Sequence, residues 1–143
     1  MIIFAHDFPI YIALILYFQI WPGAVALYAI PGFLLLVTNG ALASLTIGMA
    51  SARFRDIPRI IASLVQIVFL ITPIIWTPEA LGSSLYLAHG NPVFHLIEIV
   101  RAPLLGQLPS AQTVEVTLAI TALNLLVTIF MFLRYRSRIA YWI

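Results

Sequence analysis

Three histidines and five carboxylates hold whatever acid–base or metal chemistry this chain can do. His6 and Asp7 stand side by side at the head of an apolar run. A His–Asp pair can relay protons, but adjacent residues do not share a helix face, and water reaches this position. His95 and Glu98 fall at i and i+3, and His89 could fold back as a third ligand; without a further spaced ligand the pattern is weak as a metal site. Glu98 and Arg101 share that spacing and have opposite charges, which makes an ion pair the better reading. The serines lack a histidine–acid partnership, no glycine-rich phosphate loop is present, and no carboxylate pair is suggested by spacing. No catalytic residue, no metal site and no cofactor bound by this chain is therefore expected.

The scaffold that positions these few groups is declared by composition. Of 143 residues, 63% are hydrophobic and 8% charged, with a mean hydropathy of +1.09. A soluble domain is about 45–50% apolar and about 25% charged, and a globule as apolar as this one would expose large sticky patches. The bilayer is the expected solvent. Cysteine is absent, so disulfides and thiolate sites are excluded. A net charge of +2 gives no argument for nucleic acid, and all seven basic residues are arginine. The first residues lack the basic region and the small-residue cleavage site of a signal peptide.

A spanning helix needs about 20 mostly apolar residues, since about 30 Å of hydrocarbon is crossed at about 1.5 Å per residue. Four segments qualify: about 2–20, 26–50, 58–76 and 114–133. The second includes Pro31, a candidate kink. The third opens on Asp56 and Pro58, an acid and an early proline suited to a first turn, and its outer half carries Gln66 and the Thr72-Pro73 step. Pro73 is expected to free the carbonyl of Phe69 and bend the helix, either for packing or as a movable outer half. Ser110 is a candidate N-cap for the fourth.

Between the last two spans, 77–113 reads as two short helices. Thr77-Pro78 and Asn91-Pro92 each pair a cap with a proline at the first helical position, and Pro103 is expected to close the second helix after Arg101. A helix over 92–101 is about 15 Å long, half a membrane. It is too apolar for water and too short to cross, so a re-entrant hairpin buried in protein is expected. The predicted fold class is an all-α, polytopic membrane bundle: four transmembrane helices, an outer re-entrant hairpin and a tail over 134–143. Arg53, Arg55 and Arg59 fall on the same side as Arg134, Arg136 and Arg138, which marks that side, and both termini, as cytoplasmic.

Polar residues within the spans are informative because they are costly in lipid. Gly40, Ser44 and Gly48 form a small-residue strip suited to close helix packing. Thr117, Thr121, Asn124 and Thr128 form one stripe, read first as helix-to-helix packing and second as the wall of a polar path.

The stretches "ARFRDIPRIIASLVQIVFLITPIIW", "NPVFHLIEIVRAPLLG" and "RYRSRIAYWI", preceded by "IIFAHDFPIY", closely resemble the permease subunit of type-2 ABC exporters of O-antigen, teichoic acid and related cell-surface polysaccharides. The resemblance covers essentially the whole chain, in the family's order, as spans three to six of six. It implies a multi-pass protein of the bacterial inner membrane that works as a permease homodimer with a separate cytoplasmic ATP-binding subunit, which alone binds ATP. The transported molecule would be a lipid-linked glycan. The resemblance also implies roles. Phe69, Thr72, Pro73 and Trp76 would lie near the outer mouth of the path, with Phe69 and Trp76 placed to stack on sugars or simply to pack. Asn91, Pro92, His95, Glu98 and Arg101 would shape the gate, and Arg53, Arg55 and Asp56 the cytoplasmic edge. Two spans and a coupling helix of the family would precede Met1, so Met1 would open a truncated gene, a late start or one half of a split gene. Asp7 stands where the family often has asparagine. The alternative reading is a membrane remnant that folds but couples to no ATPase.

Overall fold

A computed structural model describes residues 23–72 and 90–139, with Pro9, Ala13, Tyr17 and Gln19 as isolated positions. Most of the expected span over 2–20, the helix start at Thr77-Pro78, and His6, Asp7, Pro73, Trp76 and His89 lie outside the described residues. Within them the chain is all helix and turn, with no strand. A 3-10 helix (Gly23–Tyr28) leads into α1 (Ala29–Arg53); α2 (Ile57–Ile71), α3 (Pro92–Leu104) and α4 (Ala111–Ile139) follow.

Two helices are long and apolar enough to cross a bilayer. Gly23–Arg53 has 31 residues and a mean hydropathy of 1.8, and Ala111–Arg136 has 26 residues and a mean hydropathy of 2.3. Among the described residues these are two where the sequence suggested three, because the segment over 58–76 does not continue as one helix. It stops at Ile71, and Thr72 is extended at φ −80° and ψ 129°. The residue before a proline is pushed out of the helical region by the ring that follows it. The Thr72-Pro73 step therefore ends α2 instead of bending it. At 15 residues, α2 is about 22 Å long, short of a full crossing. Pro31 falls in the first turn of α1, where the 3-10 helix gives way to α, and its ring offers no N–H to the carbonyl of Leu27.

The hydrogen bonds between α1 and α4 fix their direction. Asn39 meets Thr121 and Asn124, and Thr46 meets Thr128. Both numbers rise together, so the two long helices run parallel. Arg53, Arg55 and Arg59 thus lie at the same end of the bundle as Arg134 and Arg136. Phe54 turns the chain there in an extended conformation, under the Arg53 guanidinium 5.3 Å from its ring. The N-cap position of α2 is Asp56, which accepts from Arg59 and Ile60 through its backbone carbonyl and makes no side-chain cap.

The polar stripe of α4 faces the bundle, with Thr121, Asn124 and Thr128 against α1 and Thr117 against α3. Asn39, only 3% exposed, gives its Nδ2 to Thr121 Oγ1 at 2.7 Å and to Leu35 O at 3.0 Å. Its Oδ1 accepts from Asn124 Nδ2 at 2.9 Å. The Thr128 hydroxyl sits 2.7 Å from the carbonyl of Asn124, 3.2 Å from that of Leu42 and 2.9 Å from Thr46 Oγ1. This agrees with the packing reading. Among the described residues nothing packs on the Gly40, Ser44, Gly48 strip: all three are exposed, and a Cβ on Gly40 or Gly48 would meet nothing within 4 Å. The close approach is at Gly32, where a Cβ would stand 2.6 Å from the carbonyl oxygen of Ile99 in α3.

Candidate functional site

The candidate site is built around α3, which lies at the end of the bundle away from Arg53, Arg55, Arg59, Arg134 and Arg136. Asn91 starts it as expected: its Oδ1 accepts from the Val93 amide at 3.0 Å, and Pro92 follows at the first helical position, exposed. Pro103 does not close it. The helix continues to Leu104 with Pro103 inside, since a proline near the last turn removes only one N–H. The stop is a Schellman turn. Gln107 N–H bonds Ala102 O at 2.9 Å and Gly106 N–H bonds Pro103 O at 3.0 Å. Gly106 takes φ +80°, a conformation suited to glycine. The resulting 13 residues make about 20 Å, still short of a crossing.

His95 points into the bundle and is 1% exposed. Its Nδ1 lies 3.1 Å from Thr113 Oγ1, and its carbonyl accepts from Thr117 Oγ1 at 3.4 Å. Thr113 is held in turn by Ser110, which accepts from the Thr113 amide and donates to its hydroxyl. Ser110 is therefore the cap of α4, as its sequence position suggested, and it also orients the partner of His95. Phe94 packs edge-on beside the imidazole. Glu98 and Arg101 face each other at 4.0 Å, half-buried.

The predicted site residues separate into two groups. Thr72 and Asn91 come together: Asn91 Nδ2 donates to Thr72 Oγ1 at 2.9 Å, while the Thr72 hydroxyl donates to Val68 O at 2.7 Å. Phe69, one turn before Thr72, is exposed on α2. Arg53, Arg55 and Asp56 gather in the turn at the opposite end. His95 is engaged with Thr113, and Glu98 faces Arg101. Among the described residues no group of three histidine, aspartate or glutamate side chains is placed to hold a metal.

Three residues escaped sequence reasoning. Asn39 had a signal: with Thr46 it is a polar pair spaced i, i+7 on an otherwise apolar helix, matching the stripe on α4. Gly32 and Thr113 had none, because their role depends on which helix lies over them. A groove of about 400 Å³ remains between α1 and the C-terminal half of α3, lined by Leu36, Ile97, Val100, Arg101, Leu104 and Leu105. No family model, curated protein or solved structure matches the chain.

Proposed function

We propose that this chain is the membrane-spanning permease subunit of an ATP-driven exporter that moves a lipid-linked polysaccharide or polyol phosphate across a bacterial inner membrane. The observation that best supports the reading is the position of α3. It is an apolar helix of less than membrane length, seated on the N-terminal ends of two parallel, span-length helices. Arg53, Arg55, Arg59, Arg134 and Arg136 lie at the other end. In this reading four helices cross, both termini are cytoplasmic, and α3 is half of an outer re-entrant gate.

Phe69, Thr72, Pro73 and Trp76 then flank the outer mouth, and Asn91, Pro92, His95, Glu98 and Arg101 shape the gate. Arg53, Arg55 and Asp56 face the cytoplasm at the turn between α1 and α2. ATP is bound and hydrolysed by a separate subunit, and a second copy of the permease completes the path. No side chain of this subunit does covalent chemistry.

The remnant reading has its own support: α2 buries none of its residues, as expected of a bundle short of neighbours. A second permease copy would supply them in an exporter, whereas a remnant has none. Reconstitution with an ATP-binding subunit encoded nearby decides. ATP-dependent movement of a lipid-linked glycan into vesicles is expected. Failure to associate with that subunit, or export no greater than in vesicles without the chain, defeats the exporter reading.

A further inference from the structure

We propose that the groove between α1 and α3 binds one zwitterionic phospholipid of the phosphatidylethanolamine class. An acyl chain lies along the groove, the phosphate sits on Arg101 and the ammonium on Glu98. The inference rests on the membrane-spanning part of the reading above and is independent of export activity.

The groove has the two chemistries of such a lipid. Leu36, Ile97, Val100, Leu104 and Leu105 make its walls aliphatic, and Arg101 is the one charged residue among the described residues lining it. Its volume of about 400 Å³ falls within the roughly 300–1,000 Å³ usual for small-molecule sites. A soluble anion has no use for five aliphatic walls, and a bare hydrocarbon has none for a guanidinium. The guanidinium is also ready to bind. Arg101 Nη1 stands 4.0 Å from Glu98 Oε2, with the side chains 34% and 27% exposed. That separation is beyond hydrogen-bond reach, so the planar fork of donors that suits phosphate is not consumed by the carboxylate. The two charges, one helical turn apart, complement the opposite charges of a phosphoethanolamine headgroup.

Depth agrees. Leu36 lies about 26 Å along α1 from Arg53, at about 1.5 Å per residue. If the arginine cluster marks one face of about 30 Å of hydrocarbon, Arg101 stands near the headgroups of the other. There a guanidinium meets phosphates without entering the lipid core.

The test is native mass spectrometry of the full chain in detergent with phosphatidylethanolamine, phosphatidylglycerol and diacylglycerol of identical acyl chains. One phosphatidylethanolamine should be retained per chain, in preference to both others. Arg101→Gln should lower retention roughly tenfold, as expected for a lost charge-assisted contact, and Glu98→Gln should abolish the preference over phosphatidylglycerol. Leu36→Trp, which fills the groove, should abolish retention. Equal retention of diacylglycerol overturns the proposal, as does retention unaffected by Leu36→Trp. Absence of bound lipid overturns it too, whether a second copy of the chain or another segment of this one covers the groove. The wild-type comparison stands even if a variant fails to fold.

Discussion

Gly32, Ile99 and Pro103 depend on one another. Pro103 has no N–H for the carbonyl four residues back, which is that of Ile99. That oxygen lies where a Cβ on Gly32 would be, at 2.6 Å, so a glycine Cα–H faces it as a weak donor. Gly32→Ala must push α3 off α1 and is expected to cost about 1–3 kcal/mol, as overpacking does. Gly40→Ala and Gly48→Ala enter open space and should be neutral or stabilising by up to about 1 kcal/mol. Thermal unfolding in detergent separates them, and three equal midpoints would refute the contact. Asn39 argues similarly for the α1–α4 seam. A double-mutant cycle of Asn39→Ala and Asn124→Ala should return a coupling of about 0.6 kcal/mol, with about 1.7 kcal/mol as the upper bound for such bonds in membranes. Zero coupling would mean that their hydrogen bond does not hold the seam.

At the scale of elements, α2 stands apart. None of its residues is buried, and its apolar side chains, Leu64, Val65, Phe69 and Leu70 among them, are exposed. It is held at one end by the tight turn after Phe54 and at the other by the bond from Asn91 to Thr72. Thr72→Val removes that bond but leaves the cap on Val93, so amide exchange should quicken over Val68–Thr72 and stay unchanged at Val93 and Phe94. Asn91→Ala, which removes both, should quicken all of them. Slowed or unchanged exchange at the end of α2 in both variants would show that the clasp holds nothing. The caps were legible in the sequence because they are local: Asn91-Pro92 and Ser110 need only their own backbone. The end of α2 was misread because a proline in an apolar run marks a kink or a stop equally well. Pro103 was misread in the opposite sense: the stop belongs to Gly106, whose positive φ is not written in the residue before it. The helix that closes on a small-residue strip is a matter of tertiary placement, which is why, among the described residues, Gly32 packs and Gly40 does not.

For the whole molecule, the parallel course of α1 and α4 constrains the path of the chain. If both cross the bilayer, as proposed, two parallel crossings require a return between them. α2 leaves the arginine end, and its Thr72 meets Asn91 at the far end, so in the proposed reading α2 would make that return. Its length of about 22 Å is less than the hydrocarbon thickness, a mismatch that local thinning of the bilayer absorbs at fractions of a kcal/mol per Å. The topology that follows can be tested cleanly because the chain has no cysteine of its own. Asp56→Cys and Arg136→Cys should react with an impermeant maleimide only from the cytoplasmic side, and Gln107→Cys only from outside. Each arginine near the anionic leaflet contributes about 1 kcal/mol, so losing Arg136 leaves the remaining cluster to set the orientation. Labelling of Gln107→Cys and Asp56→Cys from the same side would mean that α2 does not cross. The parallel helices would then have no membrane path between them, and both the outer gate and the lipid site on Arg101 would lose their place.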